Sequence, residues 1–390
     1  MMDARQLTIE SKHRQYHRFL ASLKDFSYRE DGEVNPRKLL DNPQMSLYCL
    51  DESNRQAVFV EISVGIDLAK VPFVCRTQYE QARRLMTVPY VTFNQLADRL
   101  PPVEQPIFIY TTGRSGSTLL HHVLNESGVA VSLSEPDTPT QFANLRHGRD
   151  DDRDGELSNL ARSSLRFLFK NYRDRDIRAH ALKFRSHGTQ VMDLFQAVFP
   201  HAKNIFLYRQ VLDFLTSNLR IYQNREYPVY SSFQAWRNQF EHFWGADLSQ
   251  IEAYEEEIGE TMTILKEATL EWILTMEWYR AQCDRGIPAL TLRYTDLIHS
   301  KEETANNIFK YCNLPLDTVR QALQAYSRDS QSGTPLGRKN TGLGDRYRLN
   351  ETQREWVAKI LMRHPFLELG DRVSFFHEKT TRESDRAEPK

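Results

Sequence analysis

The sequence predicts an α/β fold in which a parallel β-sheet is flanked by helices. Short, almost entirely apolar runs recur between residues 107 and 294, longer helical patterns separate them, and the first run leads into a turn that contains glycine. Strands buried on both faces read as continuous apolar runs, and a helix between two strands allows them to lie parallel. This alternation therefore indicates a sheet covered by helices on both faces.

The individual elements follow that order along the chain. β-branched and aromatic residues favour strands, whereas apolar residues with a period near 3.6 favour helices. Strands are expected at residues 107–110, 129–133, 180–184, 204–208 and 289–294, and helices at residues 117–125, 211–220 and 261–282. These elements make up a predicted core domain at residues 106–366.

Residues 1–100 are predicted to form an N-terminal α+β extension. An amphipathic pattern near the start indicates a helix, and residues 57–64 read as a strand. Pro101, Pro102 and Pro106 interrupt the pattern and mark a domain boundary. At the other end of the chain, the polar residues 377–390 are predicted to be disordered.

Composition and charge exclude several classes of protein. The chain has 390 residues, with 51 Lys and Arg against 52 Asp and Glu, so its formal charge of -1 provides no overall attraction to nucleic acid or to an anionic membrane. The four cysteines are scattered without zinc-site or disulfide spacing, and no apolar run resembles a signal peptide or a membrane span. We therefore expect a cytoplasmic protein without a metal site, and any anion site must be local.

The most informative motif is the stretch IFIYTTGRSGSTLLHHVL at residues 107–124. Glycines let the backbone approach a ligand closely, free N–H groups point inward, and the N-terminus of a helix favours negative charge. The residues expected to surround the anion are Thr112, Gly113, Arg114, Ser115, Gly116, Ser117 and Thr118. A phosphate-like group is therefore the expected ligand of this turn.

The turn does not match the loop of ATP- and GTP-binding proteins. That loop reads GxxxxGK[ST], but here Ser117 stands at the lysine position and Thr111 at the first glycine. The turn instead carries Arg114, whose guanidinium can neutralise charge on an oxygen without a metal ion.

The stretch TTGRSGSTLL resembles the 5′-phosphosulfate-binding loop of sulfotransferases that use 3′-phosphoadenosine 5′-phosphosulfate (PAPS), most closely that of the carbohydrate and tyrosylprotein enzymes. In this family an arginine at a strand end and a serine eight residues later bind the 3′-phosphate, and Arg209 and Ser217 fit that pattern. The stretch LGRKNTGLGDRYRL resembles the loop that closes over the 3′-phosphate and supplies Arg338 and Lys339, although Asn340 replaces a glycine.

The resemblance covers about residues 106–366 and implies a fold like that of the P-loop NTPases, with PAPS as co-substrate and no metal. Sulfuryl transfer is an in-line displacement that requires positioning, charge neutralisation and deprotonation. We assign Arg114 to the leaving bridge oxygen, since a fixed guanidinium can neutralise charge there. Lys183, at a strand end, fits a role in stabilising the sulfonate, but it is equally explained as a surface lysine.

Two residues compete for the role of general base. Glu135 follows the second core strand, where the carbohydrate and tyrosylprotein enzymes place a glutamate, and Pro136 is expected to hold it in an extended conformation. His187 lies four residues past Lys183, and an ordinary imidazole titrates near 6.5. The cytosolic enzymes read Lys-Thr-His instead, so we favour Glu135.

The leading hypothesis is a PAPS-dependent sulfotransferase that acts on a hydroxyl group of a small molecule or carbohydrate. Two alternatives remain: a P-loop nucleotide kinase or NTPase with a degenerate loop, and a non-enzymatic module that binds adenosine 3′,5′-bisphosphate (PAP). Residues 1–100 could shape the acceptor pocket, form a homodimer or dock a carrier.

Overall fold

The computed structural model describes residues 4–14, 19–147, 153–172, 176–222, 232–244, 248–259, 261–334, 336–337 and 348–370. The strands are β1 (Ala4–Lys12), β2 (Phe26–Val34), β3 (Met45–Asp51), β4 (Gln56–Glu61), β5 (Arg84–Pro89), β6 (Pro106–Thr111), β7 (Ala130–Ser134), β8 (Ala179–Lys183), β9 (Lys203–Tyr208) and β10 (Leu290–Arg293). The predicted tail at residues 377–390 lies outside the described residues.

The helices cover the sheets and connect their strands. They are α1 (Lys38–Asp41), α2 (Val74–Gln81), α3 (Tyr90–Ala97), α4 (Ser117–Glu126), α5 (Asp137–Arg146), α6 (Asp154–Leu168), α7 (Met192–Val198), α8 (Val211–Tyr222), α9 (Phe233–Trp244), α10 (Glu255–Ile258), α11 (Ile264–Asp284), α12 (Tyr294–His299), α13 (Lys301–Tyr311), α14 (Val319–Ala322) and α15 (Glu351–Met362). Among the described residues, none of these helices is long and apolar enough to cross a membrane.

The N-terminal region forms a five-stranded antiparallel sheet in the order β2-β1-β5-β4-β3. Strand β4 confirms the strand expected at residues 57–64, but the helix expected near the start is wrong, because that segment is β1. The register shift at Gln6 and Leu7 leaves Asp31 of β2 without a partner residue in β1, and in β1 Ala4 and Leu7 are both buried, three residues apart. That spacing imitates a helical period, and pairing with β2 and β5 decides for a strand.

The core sheet is parallel and has the strand order β10-β9-β6-β8-β7. Its five strands are those expected from the apolar runs, and α4, α8 and α11 confirm the expected helices. The predicted α/β fold, a parallel sheet flanked by helices, is therefore confirmed. In a sheet of this kind the carboxyl ends of the strands lie at one edge, where ligands bind. Strands β6, β9, β7 and β8 all end at this edge.

The two sheets share one hydrophobic core. A single cluster of buried residues includes strands β3, β4 and β5 and continues through α6 to β8 and β9. At its centre, Phe167 of α6 packs against Phe59 and Phe93 of the N-terminal region, with ring centroids 5.0 and 5.2 Å apart. Lys170 adds polar contacts, since its ammonium donates to the carbonyls of Leu39 and Asn42. The N-terminal sheet is thus packed tightly against the core domain.

Candidate active site

The glycine-containing turn lies between β6 and α4 at the carboxyl edge of the core sheet. The Thr112 N–H donates to the Leu207 carbonyl at 3.1 Å and ties the start of the turn to β9. Gly116 precedes the helix with a φ of 85°, and a Cβ there would lie 2.8 Å from Leu297. The turn therefore needs glycine at this position for its backbone conformation and for its close contact with α12.

Hydrogen bonds between residues of the turn itself hold its polar side chains in place. The hydroxyls of Thr111 and Ser115 are hydrogen-bonded, and the Gly113 N–H donates to Thr111 Oγ1 at 3.0 Å. Ser117 and Thr118 begin α4, a helix of 10 residues, and both are buried. The N-terminus of this helix provides positive potential at the turn.

Arg114, Arg209 and Ser217 meet beside the turn, and we call these three residues the anion cluster. Arg114 Nε donates to Ser217 Oγ at 3.0 Å, and Arg209 donates to the Arg114 carbonyl at 3.3 Å. Arg114 also donates to Gln331 at 3.2 Å, a contact that the sequence did not predict. Residues from β6, β9 and α8 are thereby brought together, as the resemblance implied.

Arg209 is held in place by its neighbours, but one of its N–H donors is left without a partner among the described residues. Its guanidinium stacks on Tyr294 at 4.2 Å from the ring centroid, and its carbonyl accepts from Trp272 Nε1 at 2.9 Å. Burial lowers the pKa of Arg209 from its usual value. The buried Nε atoms of Arg209 and Arg220 have no hydrogen-bond partner among the described residues. Two buried guanidinium donors without a partner are what an anion would satisfy.

Glu135, Lys183 and Thr118 form a second group, which we call the carboxylate cluster. Lys183 Nζ lies 2.7 Å from Glu135 Oε1 and 2.9 Å from Thr118 Oγ1. Lys183 is 2% exposed, whereas the side chain of Glu135 is 21% exposed. The interpretation of Lys183 as a surface lysine is therefore wrong, because β8 ends inside the molecule and the ammonium is enclosed. The carboxylate is left facing a partly open space.

The backbone of Glu135 differs from the expected conformation. Its φ is +53°, so the expectation that Pro136 holds it in an extended conformation is wrong. The Glu135 N–H donates to the Lys183 carbonyl at 2.9 Å, and its own carbonyl accepts from the Cys75 N–H at 3.2 Å. Glu135 therefore connects β8 to α2 of the N-terminal region, and these two bonds hold a backbone conformation that is uncommon for a residue other than glycine.

His187, the competing base, lies in a short 3₁₀ helix, Ser186–Val191, after β8. It is 3% exposed. Burial, reinforced by the charge of Arg185, lowers the pKa of His187 from 6.5 to about 3. The imidazole is consequently neutral and weakly basic at neutral pH.

Two further charged residues lie at the same strand ends and were missed by the sequence reasoning. Asp137 is fully buried, and its carboxylate lies 2.7 Å from Arg185 and 2.7 Å from Arg14. A signal was present, since Asp137 and Arg185 each follow a candidate site residue by two positions. Arg338 and Lys339, by contrast, lie outside the described residues.

Within the described part of the chain, no group of three or more His, Cys, Asp and Glu side chains is placed to hold a metal ion. The four cysteines are present as thiols, and only Cys283 is partly accessible.

The chain is therefore an α/β protein whose parallel sheet carries a glycine turn, two arginines and a buried lysine at its carboxyl edge. The chain belongs to the sulfotransferase family, whose model matches residues 106–318. A sulfotransferase structure from Mycobacterium avium is 13% identical, with a TM-score of 0.38, over 72% of this chain and 82% of that one.

Two other solved structures are similar at the same level. A sulfotransferase from Mycobacterium tuberculosis is 15% identical, with a TM-score of 0.37, over 68% of this chain and 81% of that one. A mouse sulfotransferase complexed with PAP is 13% identical, with a TM-score of 0.32, over 75% of this chain and 86% of that one. A comparison with curated protein sequences finds no match.

Proposed function

We propose that this member of the sulfotransferase family transfers the sulfuryl group of PAPS to a hydroxyl group of a small molecule or carbohydrate. The observation that carries the proposal is the placement of two clusters at one sheet edge: an anion cluster in which the buried Nε of Arg209 has no partner among the described residues, and a carboxylate beside a buried ammonium. The first suits a nucleotide that carries phosphate groups, and the second suits proton removal next to a developing negative charge.

The residues of the anion cluster fit the two charged ends of PAPS. The glycine turn and the N-terminus of α4 would hold the 5′-phosphosulfate, since they present backbone N–H groups in a helical dipole field. Arg209 and Ser217 would hold the 3′-phosphate, and the unpartnered Nε of Arg209 supports this role. Arg114 has its backbone in the turn and its guanidinium on Ser217, so it would reach both ends of the ligand. The donor supplies an activated sulfonate when bound.

The carboxylate cluster would perform the transfer itself. The ammonium of Lys183 is enclosed beside Thr118 at the start of α4, where it would neutralise charge that develops on the sulfonate. We keep Arg114 for charge on the leaving oxygen. An acceptor hydroxyl that enters the open side of Glu135 would meet a proton acceptor and this ammonium together.

Glu135 is the proposed general base rather than His187. Its side chain is 21% exposed and in contact with Lys183 at 2.7 Å, so an acceptor can reach it beside the sulfonate position. His187 is enclosed, and a base with a pKa of about 3 provides little driving force for removing a proton from a hydroxyl.

Thermal unfolding with PAP, and separately with ADP plus magnesium, tests the nucleotide site. A ligand at about 100 times its dissociation constant stabilises the folded state by roughly 2.7 kcal/mol, a shift of a few degrees. We expect a shift with PAP. A shift only with ADP and magnesium would instead favour the nucleotide kinase, and no shift with either would leave no support for a PAPS site.

Transfer itself is tested by incubating the protein with PAPS and a panel of phenols, sterols and sugars, and measuring the release of PAP. Release that requires an acceptor establishes a sulfotransferase. Binding of PAP without release for any acceptor would favour the non-enzymatic module.

A further inference from the structure

The carboxylate cluster is accompanied by a second ion pair between the same two strands. Ser134 of β7 is paired with Lys183 of β8 in the sheet. Beyond these strand ends, Glu135 lies against Lys183, and Asp137 lies against Arg185, each at 2.7 Å. The second pair is two residues further along each strand and lies deeper, because Asp137 is 0% exposed.

The second pair is completed by the N-terminal region. Arg14, which follows β1, lies 2.7 Å from the other carboxylate oxygen of Asp137, and the Ala21 N–H donates to that oxygen at 2.8 Å. The side chain of Arg14 is 2% exposed. Tyr48 of β3 accepts from Arg14 and donates to Asp25, whose carboxylate balances the second guanidinium.

Charge balance shows why this group can be buried. Burial by itself would raise the pKa of Asp137, but Arg185 and then Arg14 outweigh it, so the pKa lies below its usual value. Two carboxylates, Asp137 and Asp25, face two guanidiniums. Removing one member would leave a buried charge without compensation, whereas the complete set is balanced.

The N-terminal region also contacts the carboxylate cluster directly. The Cys75 N–H of α2 donates to the Glu135 carbonyl at 3.2 Å, and the Pro72 carbonyl accepts from Ser134 Oγ at 2.6 Å. The ring of Phe73 lies 5.4 Å from Lys183 Nζ. Arg185 in turn donates to Cys75 Sγ at 3.2 Å, which joins the second ion pair to the same turn of α2.

We propose that Arg14, Asp137 and Arg185 form a clamp that positions Glu135 against Lys183, so that the N-terminal region is part of the catalytic machinery. The clamp ties together the strand ends that carry Glu135 and Lys183, and α2 holds Glu135 in its positive-φ conformation. None of the three residues touches the reacting atoms, so each is a positioning residue. The proposal rests on the proposed roles of Glu135 and Lys183.

The kinetic test compares Arg14→Lys with a matched control, Lys170→Met. In the wild type, Arg14 donates to Asp137, to Tyr48 and to the Phe19 carbonyl. The lysine in Arg14→Lys keeps the charge but cannot make all three contacts together. Lys170→Met also removes a cation that links the N-terminal region to the core, but outside the clamp. Because a misplacement of about 1 Å can cost roughly 100-fold in rate, we expect kcat of Arg14→Lys to fall at least about tenfold.

In the same experiment, the KM for PAPS and the PAP-induced thermal shift of Arg14→Lys should stay at wild-type values, and the acidic limb of its pH profile should move. Lys170→Met should lower the melting temperature and leave kcat and the pH profile unchanged. Equal kcat losses in the two variants, or a wild-type kcat in Arg14→Lys, would overturn the clamp.

Crystal structures of the wild type and Arg14→Lys separate this proposal from the proposed function. A close Glu135–Lys183 contact in the wild type, lost in the variant, supports the clamp even if no acceptor is turned over. An unchanged contact overturns it even if the wild type is an active sulfotransferase. If Arg14→Lys does not fold, Arg185→Lys serves in both experiments with the same expected outcomes.

Discussion

The anion cluster and the carboxylate cluster lie at one sheet edge but are built differently. The anion cluster is assembled from strand-to-helix turns of the core domain and keeps one buried donor, Arg209 Nε, without a partner among the described residues. The carboxylate cluster is paired within itself, at 2.7 Å between Glu135 and Lys183, and contacts helix α2 of the N-terminal region. A site that binds a charged ligand keeps hydrogen-bond donors that the ligand can pair with. A site that performs a proton transfer instead holds its charged groups in place before the substrate binds.

The largest effect should come from Glu135→Gln, which breaks the carboxylate cluster alone. A positioned general base contributes about 10²–10⁴-fold to a rate, so kcat should fall by that factor. The PAP-induced thermal shift should be unchanged. Glu277→Gln is the matched control, because Glu277 has 19% side-chain exposure and pairs with His364. If Glu135→Gln were fully active, a residue other than Glu135 would be the general base.

Arg209→Ala should break the anion cluster alone. Losing a charged hydrogen-bond donor costs about 1.5–3 kcal/mol, so the dissociation constant for PAP should rise about 10- to 100-fold, as measured by calorimetry. The control is Arg280→Ala, because Arg280 of α11 also stacks on an aromatic ring, that of Phe366. Equal losses of PAP affinity in both variants would contradict a specific phosphate contact.

Gly116→Ala sharpens the comparison by testing the turn without removing a charge. Gly116 and Gly286 have φ values of 85° and 78°, so alanine is strained at both positions. Only at Gly116 would the Cβ meet another side chain, at 2.8 Å from Leu297. Denaturant unfolding should show Gly116→Ala to be less stable than Gly286→Ala by about 1–3 kcal/mol. Equal stabilities would mean that α12 yields to the added methyl group.

A pH dependence of stability is expected from His187, which is buried beside the Asp137–Arg185 pair. His187 has a pKa of about 3 when folded and an ordinary value near 6.5 when unfolded. Between these values only the unfolded chain binds the proton, so the free energy of unfolding should fall by about 1.4 kcal/mol for each pH unit below 6.5. Urea unfolding across this range should show a shallower slope for His187→Gln.

The control for the pH series is His299→Gln, because His299 is exposed at the end of α12. That variant should keep the wild-type slope. A wild-type slope in His187→Gln as well would mean that the imidazole is protonated inside the folded protein.

The sequence was sufficient for the parts of the molecule whose contacts are local. The five apolar runs predicted the core sheet, and the turn at residues 112–118 and the eight-residue step from Arg209 to Ser217 predicted residues that do lie together. The turn lies between one strand and the helix that follows it, so its residues are close together in the chain. The meeting of Arg114 with Arg209 and Ser217, 95 and 103 positions away, is instead what the family resemblance led us to expect.

The sequence was insufficient where distant segments decide the structure. The buried residues Ala4 and Leu7 of β1 have a helical spacing, and only pairing with β2 and β5 makes this segment a strand. The conformation of Glu135 depends on Cys75, and the burial of Asp137 depends on Arg14. No local pattern contains these contacts.

The bond between Arg14 and Asp137 also constrains the order in which the chain folds during synthesis. The two residues are separated by 123 positions. At roughly 5–20 residues per second, the ribosome makes the second about 6–25 s after the first. Until then the Arg14 guanidinium has no carboxylate from Asp137 of α5 to meet, so this ion pair cannot form. The N-terminal sheet is therefore synthesised before the core domain, but it completes its packing together with the core.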